Sequence, residues 1–242
     1  MTVAGRRFIE RSLVLSSVVS RAYAIVMSCL SLRYRVGVCL IRHVDSSARV
    51  IGWRHIELGR NVAISAGSWL NVNARHGATK RLVIGDNCFI GRNNFVSVGK
   101  SVVIGPYCLT TSACSFIGAT HFADPVRPYI ATGVSVDAEI VIGANCFFGY
   151  AASVLGDVRI GHGCVIGAHT VVRSNIPPFS LVVGNPARVV KRFDFHTGRW
   201  RDDWEQIELG HPAEQDYVSS LRSSHRWPLL PISAATSGPG DI

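Results

Sequence analysis

The sequence lacks the cysteine patterns of a metal or redox protein. Seven of its 242 residues are Cys, but they form no CxxC pair and show no Cys and His spacing typical of zinc sites. We therefore expect no metal site. Five of the cysteines recur at one position of a repeat, which favours packed thiols in a reducing compartment. These five are Cys88, Cys108, Cys114, Cys146 and Cys164.

The sequence also lacks an uninterrupted hydrophobic run near its N-terminus. Residues 8–32 are largely apolar, but Glu10, Arg11 and Arg21 interrupt them, and these charges fall on one side of a helix. The segment is therefore amphipathic rather than transmembrane. We expect a helical segment within residues 1–50 that lies on the end of the domain or on a neighbouring subunit. Contact with a membrane surface is the alternative.

Charged residues are scarce, at 17% of the chain, whereas hydrophobic residues make up 48%, which is ample for a buried core. The net charge of +9 is uneven, because residues 1–60 are basic and residues 193–242 are acidic. A basic end suits a membrane surface or a polyanionic substrate, but two solvated ends that pair with each other explain it equally well. We expect no nucleic-acid partner.

The stretch from Ile142 to Val172 repeats every six residues. A helix has a period near 3.6 and a strand a period of 2, so a period of six fits neither. It fits a coil of short strands and tight turns, in which one apolar side chain per strand points inward and Gly often occupies the turn. Three such strands close a triangular coil, and stacked coils form an all-β solenoid, a parallel β-helix. The inward positions are Ile142, Phe148, Val154, Ile160, Ile166 and Val172.

The repeat predicts a β-helix domain over residues 51–192 that is interrupted by a long loop. Between residues 117 and 136 the period is lost, and Pro125 and Pro128 cannot donate the hydrogen bonds of a β-ladder. We expect this loop to be extruded from the coil and to carry function. The remaining C-terminal tail, residues 193–242, is expected to be partly packed and partly disordered.

The hexapeptide run, the loop with its His and the closing segment GNPARVVK at residues 184–191 resemble the hexapeptide-repeat acyltransferases. The similarity is closest to sugar O-acetyltransferases such as galactoside and maltose acetyltransferases, and it covers about residues 58–191. The resemblance implies a left-handed β-helix, a homotrimer with active sites between subunits, and acetyl-CoA as the donor. It further implies cytoplasmic acetyl transfer to a sugar hydroxyl, in the synthesis of O-antigen, capsule or exopolysaccharide.

The family's catalytic His corresponds to His121. An imidazole with an ordinary pKa of about 6.5 can accept the proton of an attacking hydroxyl near neutral pH. Asp124 is a candidate to orient this imidazole, although an Asp before Pro125 is also a common turn residue. Asn93 and Asn94 are candidates to donate a hydrogen bond to the oxyanion, and corner residues of the coil are the alternative for both.

Two further sets of residues are candidates to bind CoA. Arg188 and Lys191 match basic residues that contact the CoA phosphates in the family. A second set aligns with family positions that line the pantetheine and the adenine: Gly149, Tyr150, Ala168 and Arg173. Tyr150 departs from the family, which commonly has a small residue there.

Other functions stay open at this point. One is N-acetylation of an amino-sugar nucleotide, although many such enzymes carry an N-terminal α/β domain for which residues 1–50 are too short. Others are acetylation of a xenobiotic and a non-catalytic β-helix scaffold that binds no CoA. His162 and His169 are interpreted as surface-turn residues, because the three converging His of a β-helix zinc enzyme are absent.

Overall fold

A computed structural model describes residues 44–73, 75, 79–206 and 210–224. The helical segment expected in residues 1–50 therefore lies outside the described residues, except for residues 44–50. In that short piece Val44 already forms a parallel bridge with Ile64, so the solenoid begins before residue 51.

Three parallel β-sheets form the faces of the solenoid, and the chain visits them in rotation. The first face contains β1 (Arg49–Ile51), β4 (Trp69–Val72), β7 (Phe95–Val98), β10 (Ser115–Ile117), β15 (Ser153–Leu155) and β18 (Val171–Val172). The second face contains β2 (Ile56–Leu58), β5 (Leu82–Ile84), β8 (Ser101–Ile104), β13 (Glu139–Ile142) and β16 (Val158–Ile160). The third face contains the parallel strands β3 (Ala63–Ile64), β6 (Phe89–Ile90), β9 (Leu109–Thr110), β14 (Phe147–Phe148), β17 (Val165–Ile166) and β19 (Ser180–Val183).

The apolar position of each repeat points into the interior shared by the three faces. The six positions predicted from the repeat, between Ile142 and Val172, are at most 2% exposed. In this interior Phe116 of the first face and Phe148 of the third face meet edge to face, with their ring centroids 5.2 Å apart. This is the β-helix solenoid that the six-residue period predicts.

Within the described part of the chain, non-glycine residues in the left-handed conformation form turns at two of the three edges of the solenoid. We call the boundary between the first and second faces the first edge, that between the second and third faces the second edge, and that between the third and first faces the third edge. The second edge carries left-handed residues such as Asn145 (φ 54°), and the third edge carries Asn93 (φ 55°) and His169 (φ 57°). Asn is well suited to this conformation because its short side chain bonds locally.

Extra chain leaves the coils at the first edge. Between β4 and β5 the chain adds residues 73–81, and between β10 and β13 it adds residues 118–138. Both insertions connect the first face to the second, and β7 and β8 between them are joined by Gly99 and Lys100. The points at which both insertions leave the coils therefore lie on one side of the molecule.

Four cysteines form a ladder along the second edge. The Sγ atoms of Cys88, Cys108, Cys146 and Cys164 each lie 3.1–3.2 Å from a carbonyl oxygen of the next coil. Cys114 makes the equivalent contact at the third edge. All five thiols are free and buried, which confirms their interpretation as packed thiols. Burial raises the pKa of the Cys108 and Cys146 thiols.

The described part of the tail folds back on the solenoid. β20 (Arg188–Asp194) pairs antiparallel with β19, β21 (Arg199–Arg201) pairs with β20, and α1 (Glu214–Ser224) lies against the second edge. The sequence predicts a surface turn for His162, but the residue is buried because the tail covers it. Its Nε2 lies 3.1 Å from the carbonyl oxygen of Pro212 in that tail. Among the described residues, no helix combines the length and the apolarity needed to cross a membrane.

Candidate active site

The extruded loop forms a short hairpin that presents His121 to solvent. β11 (Thr120–His121) pairs antiparallel with β12 (Val134–Ser135), so that His121 lies opposite Val134. Between the strands, Pro128 precedes a 3-10 turn over Tyr129–Ala131. The hairpin fixes the backbone of His121 while its side chain stays exposed.

The contact with Thr132 determines which nitrogen of the neutral His121 imidazole carries the hydrogen. Its Nδ1 lies 3.2 Å from the backbone carbonyl oxygen of Thr132. A carbonyl oxygen only accepts hydrogen bonds, so Nδ1 must carry the hydrogen. In the neutral ring Nε2 then has a free lone pair, which is the form that a general base requires.

An open pocket of about 520 Å³ surrounds the imidazole. It is lined by Thr120, His121, Phe122, Ala123, Tyr129 and Ile130. The side chains of Phe122 and Ile130 are 53% and 94% exposed, so the pocket opens onto an apolar surface of the loop. Among the residues that the structure describes, His121 is the one ionisable side chain of basic or acidic type in this lining.

Asp124, the candidate orienting group, is engaged within its own turn. Its carboxylate accepts hydrogen bonds from the backbone N–H of Val126 at 3.1 Å and from Nε of Arg127 at 2.7 Å. The group at Nδ1 of His121 is Thr132 instead. These contacts fit the alternative considered for Asp124, a turn residue before proline.

Asn93 and Asn94 differ in what their side chains can donate. Asn94 is 1% exposed, and its amide Nδ2 lies 2.8 Å from the carbonyl oxygen of Thr111 and 3.3 Å from that of Arg92. Both amide hydrogens therefore have acceptors, one in the same coil and one in the next. Asn93 is exposed at the third edge, so it is the member of the pair that a ligand can reach.

Three of the candidates to line the pantetheine and the adenine of CoA lie together at the third edge: Gly149, Tyr150 and Ala168. Gly149 is buried at a close contact, since a Cβ there would lie 2.6 Å from the backbone nitrogen of Ala168. Tyr150 follows it and is 54% exposed. Its ring meets that of His169 edge to face, with centroids 5.4 Å apart. Coil stacking thus creates an exposed aromatic pair beside the tight glycine contact.

The basic candidates lie near the C-terminal end of the solenoid. Arg173 follows β18 and is exposed. Arg188 begins β20 opposite Val183, and Lys191 lies opposite Leu181 on the same antiparallel pair. Arg188 and Lys191 therefore extend the third face, on which cations beside an edge suit phosphate groups.

The structure does not bring all candidates together within one chain. His121 and Asp124 project from the first edge, whereas Asn93, Tyr150 and Ala168 lie at the third edge, with the first face between them. Within the described residues, no group of three or more His, Cys, Asp or Glu side chains could hold a metal ion. Thr132 and the pocket residues Tyr129 and Ile130 were missed in the sequence, because an aperiodic loop gives no signal for their placement.

Two hexapeptide models match the coils. The bacterial transferase hexapeptide (six repeats) matches residues 139–174, and the hexapeptide repeat of succinyl-transferase matches residues 81–108. The Mycobacterium tuberculosis protein named "Probable acetyltransferase Rv3034c" is 34% identical over 164 residues, which are 63% of this chain and 55% of that protein. The Escherichia coli protein named chloramphenicol acetyltransferase is 33% identical over 107 residues, 38% of this chain and 51% of that protein. The chain spans about half the length of these relatives.

Solved structures share the fold at lower identity. A variant of AntD, an N-acyltransferase from Bacillus cereus in complex with dTDP-4-amino-4,6-dideoxyglucose and coenzyme A, has a TM-score of 0.54 at 18% identity. The match covers 73% of this chain and 87% of that chain. The resemblance to hexapeptide-repeat acyltransferases and the left-handed β-helix that it implied are confirmed by these matches.

Proposed function

We propose that this chain, whose coils carry the hexapeptide repeats of bacterial transferases, is an acetyltransferase that uses acetyl-CoA and acts on a sugar hydroxyl. The observation that carries the proposal is the His121 imidazole, whose Nδ1 faces a carbonyl oxygen and whose ring lines an open pocket. We further propose that the acceptor belongs to surface-polysaccharide synthesis and that the reaction takes place in the cytoplasm.

The reaction needs one base that later acts as an acid. Nε2 of His121 accepts the proton of the acceptor hydroxyl as its oxygen attacks the thioester carbon, and a C–O bond forms. The tetrahedral oxyanion then collapses, the C–S bond breaks, and the imidazolium returns its proton to the CoA thiolate. The products are an acetyl ester and CoA with a free thiol, and the histidine is restored.

The acceptor and the donor have different requirements. The pocket around His121 offers apolar and aromatic surface without a charged partner, which suits the uncharged ring of a sugar. The donor carries phosphates, for which Arg188 and Lys191 supply positive charge. Because these cations and Tyr150 lie away from the first edge, a complete site requires a second subunit, which supports a homotrimer with sites between chains.

N-acetylation of an amino-sugar nucleotide is the second candidate. It is favoured by the likeness in fold to AntD, which is described as an N-acyltransferase in complex with an amino sugar carried by dTDP. In that reaction a free amine attacks the same thioester carbon. Nε2 of His121 would then take a proton from the nitrogen after or during the attack.

The test measures the rate at which the protein releases CoA thiol from acetyl-CoA in the presence of neutral sugars, amino sugars and their nucleotide derivatives. His121→Ala should lower kcat by about 10²–10⁴-fold, the usual loss of a general base, while acetyl-CoA binding persists. Transfer only to amines would replace the O-acetyltransferase with the N-acetyltransferase. If the wild type binds no acetyl-CoA and His121→Ala changes no measured activity, the result would indicate the non-catalytic scaffold.

A further inference from the structure

Thr132 is nearly enclosed in a loop whose other side chains are mostly exposed. Its exposure is 8%, against 58% for Tyr129 and 94% for Ile130. It also closes the 3-10 turn, because its backbone N–H donates to the carbonyl oxygen of Tyr129 at 3.1 Å. A buried Thr at the end of an exposed turn is a fixed point from which neighbouring groups can be held.

The hydroxyl of Thr132 forms hydrogen bonds with both Tyr129 and His121. Its Oγ1 lies 2.7 Å from the carbonyl oxygen of Tyr129 and 3.3 Å from Nδ1 of His121. The Tyr129 oxygen can only accept, so the single hydroxyl hydrogen is directed to it. Oγ1 must therefore accept from Nδ1–H. The carbonyl oxygen of Thr132 accepts from the same Nδ1 at 3.2 Å.

We propose that Thr132 is the positioning residue of His121, and that its hydroxyl couples the orientation of the imidazole to the 3-10 turn that lines the acceptor pocket. Thr132 offers the ring two acceptors and no donor, so it selects the tautomer with hydrogen on Nδ1. Its bonds to Tyr129 hold Tyr129 and Ile130 in a fixed relation to Nε2. The catalytic meaning of this arrangement rests on the proposed acetyl transfer, whereas its effect on the ring does not.

The first test measures the ring and needs no substrate. Nitrogen NMR of protein labelled at His is recorded for the wild type, Thr132→Val, Thr132→Ser and Ser135→Ala. Thr132→Val keeps the size and removes the hydroxyl, Thr132→Ser keeps the hydroxyl, and Ser135→Ala removes a hydroxyl that lies on β12 and bonds Asp137. We expect the Nδ1–H tautomer in the wild type, Thr132→Ser and Ser135→Ala. Thr132→Val keeps the backbone carbonyl oxygen but loses the second acceptor, so we expect a lower fraction of the Nδ1–H tautomer there.

The second test measures acetyl transfer by the same four proteins. We expect kcat to fall about tenfold in Thr132→Val, the rate equivalent of one lost hydrogen bond, and to recover in Thr132→Ser. The KM for acetyl-CoA should stay unchanged, because the thioester donor does not depend on the hydroxyl of this loop. Ser135→Ala should match the wild type.

Several outcomes would overturn the proposal. One is a single Nδ1–H tautomer and an undiminished kcat in Thr132→Val, and another is an equal loss in Thr132→Val and Thr132→Ser, which would point to packing rather than to the hydroxyl. A mixed tautomer in the wild type would also overturn it. If the tautomers behave as expected but no protein transfers acetyl groups, the positioning of the ring stands and the proposed function fails.

Discussion

The backbone N–H of Ala144 donates a hydrogen bond of 2.6 Å to the carboxylate of Glu214, which lies 70 residues further along the chain. This contact joins the first turn of α1 to a coil in the middle of the solenoid. The adjacent residue Asn145 donates to the hydroxyl of Tyr217, whose ring packs against Phe179 and His162. The tail therefore docks through polar contacts at its start and aromatic contacts beside them.

Replacing Glu214 with Ala should loosen the tail. The substitution leaves the Ala144 N–H without its acceptor, so we expect the free energy of unfolding to fall by about 1 kcal/mol. Asp216→Ala is the matched control, because it removes an acid from the same helical turn and Asp216 is exposed. Denaturant unfolding of both variants provides the measurement. Equal losses would assign the effect to the helix dipole rather than to docking.

The stability of the docked tail should decline in alkali. Burial raises the pKa of the Tyr217 phenol, with the hydrogen bond from Asn145 opposing the shift. In the unfolded chain a tyrosine loses its proton at about pH 10, earlier than in the folded protein. The contribution is therefore complete below pH 10 and is lost as the pH rises through the folded pKa. Unfolding measured against pH should show this loss in the wild type and a smaller one in Tyr217→Phe.

Coil contacts should make one glycine far less replaceable than another. A Cβ on Gly105 would lie 2.7 Å from the backbone nitrogen of Ala144, whereas one on Gly156 would have no atom of the described residues within 4 Å. We expect Gly105→Ala to destabilise the fold by about 2 kcal/mol or more through overpacking. Gly156→Ala should cost about 1 kcal/mol from its positive φ alone. Thermal unfolding tests the order, and equal midpoints would contradict it.

Acetyl-CoA should stabilise the protein through its phosphates. A ligand that binds only the native state raises the unfolding midpoint, even without an acceptor. We expect this rise in the wild type and a smaller one in the Arg188→Ala/Lys191→Ala double variant. Arg199→Ala on the neighbouring strand β21 is the control for general loss of positive charge. An undiminished rise in the double variant would remove Arg188 and Lys191 from the donor site.

The periodic part of the structure could be predicted from the sequence. Ile142, Phe148 and Val154 repeat at an interval that only a coil of short strands allows, and each is buried as expected. Burial every six residues is a local property, and a pattern of single residues is enough to reveal it.

Contacts between distant segments could not be predicted in this way. Thr132 meets His121 only because the loop returns as a hairpin, and the turn over Tyr129–Ala131 sets the place of that return. Likewise, the carboxylate of Glu214 accepts a hydrogen bond from Ala144, which lies 70 residues earlier in the chain. Neither pair has a repeat or a spacing that marks it. Sequence patterns locate His121 in the extruded loop, but its hydrogen-bond partner depends on tertiary structure.

The insertions leave the stacked coils at the first edge without disturbing them. Residues 73–81 and 118–138 leave from the same side, and the strands on either side of each insertion pair in register with the coils above and below. Length can therefore change at this edge without shifting any inward side chain. A different loop between β10 and β13 would therefore replace the pocket around His121 and leave the buried core unchanged.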